Sequence, residues 1–185
     1  VGGNGSGKST LLKVLTALYA PRAGELRLGG VAIGPANRAA YREKFTAIFA
    51  DFHLFVRLYG LLDTPETEVQ RLLADMRLTG RTAYIEGRFT RRDLSSGQRR
   101  RMAMLVALLE DRPAYVFDEW AADQDPQFRH EFYTRLLPAL RRRGKTVIVV
   151  THDDRYLDQA DHVVMMNDGR ISADSARVAV SEVPL

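Results

Sequence analysis

"VGGNGSGKST" occupies Val1–Thr10. It fits the pattern G-x-x-x-x-G-K-[ST], with Gly2, Gly7, Lys8 and Ser9 in the fixed places. Glycines accept positive φ, so a loop of Gly2, Gly3, Asn4, Gly5, Ser6 and Gly7 can turn its N–H groups inward around an anion. Lys8 then reaches the β- and γ-phosphates of a bound triphosphate, the Ser9 hydroxyl is a Mg²⁺ ligand, and Thr10 completes the cradle. Leu11, Val14, Leu15 and Leu18 follow at i, i+3, i+4 and i+7, which marks an amphipathic helix whose N-terminal dipole faces the phosphates. A flexible Gly/Ser linker would not carry Lys-Ser-Thr followed by helical apolar spacing.

This pattern ordinarily follows a buried strand. No strand precedes it here and the first residue is not Met, so the chain is expected to be an N-terminally truncated piece of a longer polypeptide, lacking the first strands of its sheet. Its 185 residues suit one domain. The net charge is +4, with basic clusters at Arg91-Arg92, Arg99–Arg101 and Arg141–Arg143. Such clusters invite a nucleic-acid reading, but arginines on exposed helix faces account for them, and no nucleic-acid partner is expected. The absence of cysteine excludes disulfide and thiolate-metal scaffolds. No apolar run reaches the 18 or so residues of a membrane-spanning helix.

Further along, Glu25–Ile33 reads as two short strands around a Gly29-Gly30 turn. Helical texture starts near Arg57, with Val69, Leu72, Leu73 and Met76 on one face and a break at Thr79-Gly80. Another helix starts at Ser95-Ser96-Gly97 and carries Met102, Leu105, Val106 and Leu109. Ala114–Phe117 and Thr146–Val150 look like buried parallel strands. Between them a helix shows Phe128, Phe132 and Leu136 on one face and stops at Gly144. A short helix over Tyr156–Ala160 and a hairpin turning at Asn167–Gly169 close the chain. Alternating strands and helices imply an α/β fold.

In open α/β sheets, chemistry collects at the C-terminal ends of strands. The first buried run ends in Asp118-Glu119 and the second in Thr151-His152. Asp118 is suited to hold Mg²⁺ beside the phosphate loop. Neighbours on an extended strand point opposite ways, which leaves Glu119 to polarise an attacking water. His152 can bond a γ-phosphate and that water. His53, His130 and His162 read as structural.

The stretch "LSSGQ", Leu94–Gln98, combines Ser95, Ser96 and Gly97 at a helix N-terminus and forms a second anion site. Here the sequence resembles the ATP-binding cassette (ABC) family, whose signature reads LSGGQ. The resemblance covers nearly the whole chain. It implies a P-loop NTPase-type parallel sheet with an inserted helical subdomain. Residues 1–49 and 102–185 would form the catalytic core, and 50–101 the subdomain carrying the signature. It also implies ATP and Mg²⁺ as ligands, Glu119 as catalytic base and His152 as switch histidine. Two cassettes would pair head to tail, the signature of one over the ATP of the other, with Asp125 at the seam. Trp120 and Ala122 depart from the family's usual Pro and Ser. Where most members carry a Mg²⁺-sensing Gln, this chain has Ala50 with Asp51 beside it, so Asp51 becomes a substitute metal ligand.

"ADFHLF" and "DEWAADQDP" further resemble the bacterial exporters of cyclic peptides and peptide siderophores, in which a membrane domain is fused ahead of the cassette. The expected protein is therefore an ATPase domain at the cytoplasmic face of the inner membrane, partnered by a membrane domain that binds the substrate. The segment Asp51–Tyr59 would carry motion to that domain. A soluble ABC ATPase acting on nucleic acid or ribosomes, and a non-hydrolysing regulatory cassette, are the alternatives.

Overall fold

The computed structural model describes residues 1–91 and 93–176. In chain order the elements are α1 (Lys8–Leu15), β1 (Arg27–Leu28), β2 (Val31–Ala32), α2 (Arg38–Arg42), β3 (Phe45–Ile48), α3 (Glu66–Asp75), β4 (Tyr84–Ile85), β5 (Arg88–Phe89) and α4 (Ser96–Glu110). There follow β6 (Ala114–Asp118), a 3₁₀ turn (Trp120–Asp123), α5 (Pro126–Glu131), a π-helical segment (Phe132–Leu136), α6 (Leu137–Arg142), β7 (Thr146–Val150), a second 3₁₀ turn (Asp154–Gln159), β8 (His162–Asn167) and β9 (Arg170–Ala176).

The centre is a parallel sheet in the order β3-β6-β7. All five residues of β6 are buried, as a strand covered on both faces must be. Strand alternation divides its side chains between the two faces. Val116 joins Leu12 of α1 and Val150 in one apolar cluster. Tyr115 and Phe117 join the larger cluster beneath α4, α5 and the π-helical segment. That larger core continues without a break into Leu54, Leu58, Val69, Leu72, Leu73 and Met76 around α3. Helix α4 itself runs unbroken through residues 101 and 102.

Several local expectations change. Helix α1 buries Leu12 rather than the stripe starting at Leu11, which is 39 % exposed, and Leu18 lies beyond the helix end. The helix ends early because Ala17 takes φ +56 and the chain turns back under α2. There Tyr41 Oη donates to Leu15 O at 2.7 Å and Arg42 Nε to Ala17 O at 3.0 Å. Helix α3 begins only at Glu66, behind Pro65, so the stretch from Arg57 to Thr64 is turns rather than helix. The segment after α3 adds a β4–β5 hairpin whose central residues, Glu86 and Gly87, both have positive φ, as a type I′ turn demands.

Candidate active site

The phosphate loop is pinned from the far end of the chain. Val1 N donates to Val164 O and Met166 N to Val1 O, each at 2.8 Å. This is the pair of bonds a parallel strand residue exchanges with its neighbour. Gly169 N donates to Ser6 O at 3.1 Å. Any Cβ at Gly2 would overlap the Met166 carbonyl oxygen, so glycine is required there by close approach. Gly7, at φ +91, starts α1 with no side-chain cap. The loop therefore keeps its N-terminal amides available to an anion. Lys8 is buried, and its Nζ donates to Gly2 O (2.9 Å), Gly3 O (2.7 Å) and Ser6 Oγ (3.3 Å). This ammonium is folded onto its own loop. Ser9 and Thr10 follow on the first turn of α1, and Asn4 and Gly5 are exposed at the loop tip.

Asp118 ends β6 on the face of Val116, the face that α1 covers. It is 2 % exposed and its Oδ1 has no hydrogen-bond partner. An orphaned buried carboxylate oxygen is costly. Such an oxygen fits a ligand to a divalent cation. Glu119 does not extend the strand. It takes the left-handed conformation, φ +51 and ψ +31, so it leaves the strict alternation assumed for an extended pair. Its Oε1 lies 3.0 Å from Nε2 of His152, the second residue beyond β7. A carboxylate only accepts, so Nε2 is the donor in this contact. The two side chains border a cavity of about 390 Å³ that also contacts Ala122, Arg129, Tyr133 and Arg155.

The turn that carries His152 is fixed from the side. Tyr133 Oη meets Thr151 Oγ1 at 2.7 Å, and Asp153 N donates to the same hydroxyl at 2.9 Å. Tyr133 belongs to the π-helical segment, whose extra residue per turn re-aims it, a common device beside functional sites. The Arg155 hydrogen bond holds the Asp153 carboxyl below the usual carboxylate range, against the effect of burial. Arg129 spans the neighbouring turn, its Nη2 donating to Ala122 O (3.1 Å) and Gln124 O (3.2 Å).

The second anion stretch starts α4. Ser95 is the N-cap, with Gln98 N donating to Ser95 Oγ at 3.3 Å and Ser95 N to Gln98 Oε1 at 3.1 Å, a complete capping box. Ser96 is exposed, and Leu94 packs against the larger core. Gly97 is dictated by contact, because a Cβ there would lie 2.6 Å from Asp123 O. Asp125 caps α5 through Phe128 N at 2.9 Å and pairs with Arg101. The Phe128 amide, first of all, holds its carboxyl below the ordinary range. Asp51 is exposed on the turn after β3. Among the described residues no group of three His, Asp or Glu side chains is placed to hold a metal, so Asp51 is not gathered with Asp118 and Glu119 into such a group.

Two residues read as exposed helix arginines are not exposed. Arg100 and Arg101 are 7 % and 9 % exposed. Arg101 Nε donates to Gln124 Oε1 at 2.8 Å, and its guanidinium carbon stacks 3.9 Å from the Phe128 ring centre. The signal available in the sequence was the acid-rich "DEWAADQD", whose Asp123, Gln124 and Asp125 supply the partners. Trp120, where the family usually has Pro, is fully buried and stacks on Phe132 with ring centres 4.5 Å apart.

Comparison with known proteins bears on this site. A family model described as "ABC transporter" matches residues 1–122. The chain is 49 % identical over 179 residues to the ATP-binding protein SyrD of Pseudomonas syringae pv. syringae, which covers 94 % of this chain and 31 % of that protein. It is 33 % identical over 191 residues to a macrolide export ATP-binding/permease protein MacB of Paracoccus denitrificans, covering 94 % of this chain and 28 % of that one. The chain thus spans about a third of the length of these relatives. Among solved structures, the ATP-binding subunit of an ABC transporter superposes with a TM-score of 0.74 at 26 % identity, covering 95 % of this chain and 76 % of that one.

Proposed function

The chain belongs to the ABC transporter family, and from that premise we propose that it is the ATP-hydrolysing domain of a bacterial exporter working at the cytoplasmic face of the inner membrane. Lys8 and the loop amides of Gly2–Gly7 bind and orient the triphosphate. Ser9 and Asp118 would hold Mg²⁺, which when bound neutralises charge on the β- and γ-phosphate oxygens. Glu119 polarises the attacking water, and His152, which lies in hydrogen-bond contact with that carboxylate, donates to the γ-phosphate. Two copies close head to tail, Leu94–Gln98 of each lying over the triphosphate of the other. Nucleotide favours that closed pair because the closed state makes more contacts with it. Asp125, already holding the Phe128 amide and Arg101, lies at the seam, and Asp51 contributes to the metal through water.

The observation that carries this reading is the 3.0 Å Glu119–His152 contact at the ends of adjacent parallel strands, next to a buried Asp118 oxygen with no partner. Burial takes Arg100 and Arg101 out of reach of a nucleic acid, and exposed pairs of Arg141 with Asp161 and Arg143 with Asp111 offset part of the remaining basic charge. The exported substrate we infer is a cyclic peptide or peptide siderophore, bound by a membrane domain. "ADFHLF" and "DEWAADQDP" support that choice.

The test is Glu119→Gln in the full-length protein. Turnover should fall by about 10²–10⁴-fold while ATP-bound pairs accumulate. Unchanged turnover would remove Glu119 as the base.

A further inference from the structure

Glu119 sits in a backbone conformation that side chains other than glycine adopt rarely. Such a residue persists only where its surroundings over-determine it. On one side, Glu119 N donates to Val150 O at 3.1 Å, a bond continuing the β6–β7 ladder. On the other side the holder is Arg100, in the second turn of α4. Its Nη1 donates to Glu119 O at 2.9 Å and to Asp118 O at 3.4 Å, and its Nε to Asp123 Oδ2 at 2.8 Å. The main chain of Arg100 takes part too, since Trp120 Nε1 donates to Arg100 O at 2.9 Å. One residue thus grips the carbonyls of the two site carboxylates, the carboxylate of the following turn and the indole next to Glu119.

We propose that Arg100 is a positioning residue for hydrolysis, which locks the left-handed backbone of Glu119 and ties it rigidly to the helix whose first turn is Ser96–Gln98. The inference rests on Glu119 being the base, as proposed above. Arg100 touches neither nucleotide nor water in this account. Its effect comes through the direction in which the Glu119 carboxylate leaves the chain. A planar guanidinium suits the task, because it presents several donors in fixed directions to three acceptors on different residues. A lysine at this place has the charge and roughly the reach, but can satisfy the acceptors only from one point. Because Gly97 O also accepts from Gln124 Nε2 at 3.2 Å, the first turn of α4 and the turn after Glu119 move as one body. Placement of the signature over a neighbour's triphosphate and placement of the base are then a single event.

The experiment compares Arg100→Met, which fills the space without a donor, Arg100→Lys and Glu119→Gln in the full-length protein. Steady-state ATPase kinetics, ATP affinity by a fluorescent analogue and thermal unfolding are read for each. Arg100→Met should lower kcat by about tenfold or more, the scale expected from misplacing a catalytic group, with KM and ATP affinity within about twofold. Arg100→Lys should restore a substantial part of kcat. A folded Arg100→Met protein with kcat within about twofold of the unsubstituted protein overturns the proposal. So does a loss matched by an equal loss of nucleotide affinity, or no recovery in a folded Arg100→Lys protein. If Glu119→Gln turns over normally, the base assignment fails and this proposal falls with it. If Glu119→Gln is inactive while Arg100→Met is not, only the role of Arg100 is lost.

Discussion

Helices α1 and α4 both begin in small polar residues beside the catalytic strand ends, yet the two beginnings are built in opposite ways. At α1 the cap is a glycine with positive φ, no side chain caps the first amides, and the Lys8 ammonium folds back onto loop carbonyls. At α4 Ser95 and Gln98 satisfy each other's backbone, Gly97 abuts the Asp123 carbonyl, and two buried arginines bolt the next turn to the strand end. The first is an open receptor. The second has two of its first amides, those of Ser95 and Gln98, already taken by the capping box, so an anion has fewer left to bind there. On the proposed function, α1 would supply affinity, and α4 a rigid cap whose worth depends on where the triphosphate already sits.

The largest effect should come from breaking the open end. Lys8→Ala removes the side-chain cation that donates to the loop carbonyls, and turnover should fall by about 10²-fold or more, with nucleotide affinity lost alongside. Full retention of both would leave α1 without its assigned role. At the closed end Gly97→Ala pushes a methyl group against Asp123 O. Unfolding free energy should drop by about 1–3 kcal/mol, with hydrolysis falling more than ATP binding to the loop. Equal losses of binding and hydrolysis would merge the two ends into one. Ser95→Ala deletes half the capping box and should cost about 1 kcal/mol in denaturant unfolding, with loop affinity untouched.

The mildest probe is alkaline pH. Burial, ahead of the nearby Asp111 charge, pushes the Tyr115 phenol up to about 12. Tyr115 faces the core beneath α4. Its folded value lies above its unfolded one, so this contribution to stability is complete below about pH 10 and disappears as pH rises towards 12. Tyr115→Phe should flatten that part of the stability–pH profile, measured by thermal unfolding.

How far the sequence reaches differs between the same two regions. The phosphate loop, β6, β7 and the two strand-end residues Asp118 and His152 follow from local patterns, because glycine spacing and apolar runs are properties of consecutive residues. The environment of α4 does not. A run of three arginines on a helix gives no periodic sign of burial, and what buries Arg100 and Arg101 is a turn some 23 and 24 residues later. The backbone of Glu119 was equally hidden, since a strand followed by Asp-Glu reads as extended to its end. The β4–β5 hairpin escaped because its Glu86-Gly87 turn lacks the Asn or Asp that usually marks such a turn. In α1 the apolar residues encircle the helix, and only the position of β6 selects Leu12 over Leu11 as the buried one.

The most direct measurement uses the absence of native cysteine in this chain. In an otherwise cysteine-free full-length protein carrying Glu119→Gln, Asn4→Cys and Ser96→Cys are introduced together and oxidised with and without ATP and Mg²⁺. If one copy's loop meets the other copy's α4 across a shared triphosphate, a disulfide-linked pair forms with nucleotide and not without it. A link equally abundant in both conditions, or none despite demonstrated ATP binding, would contradict the account.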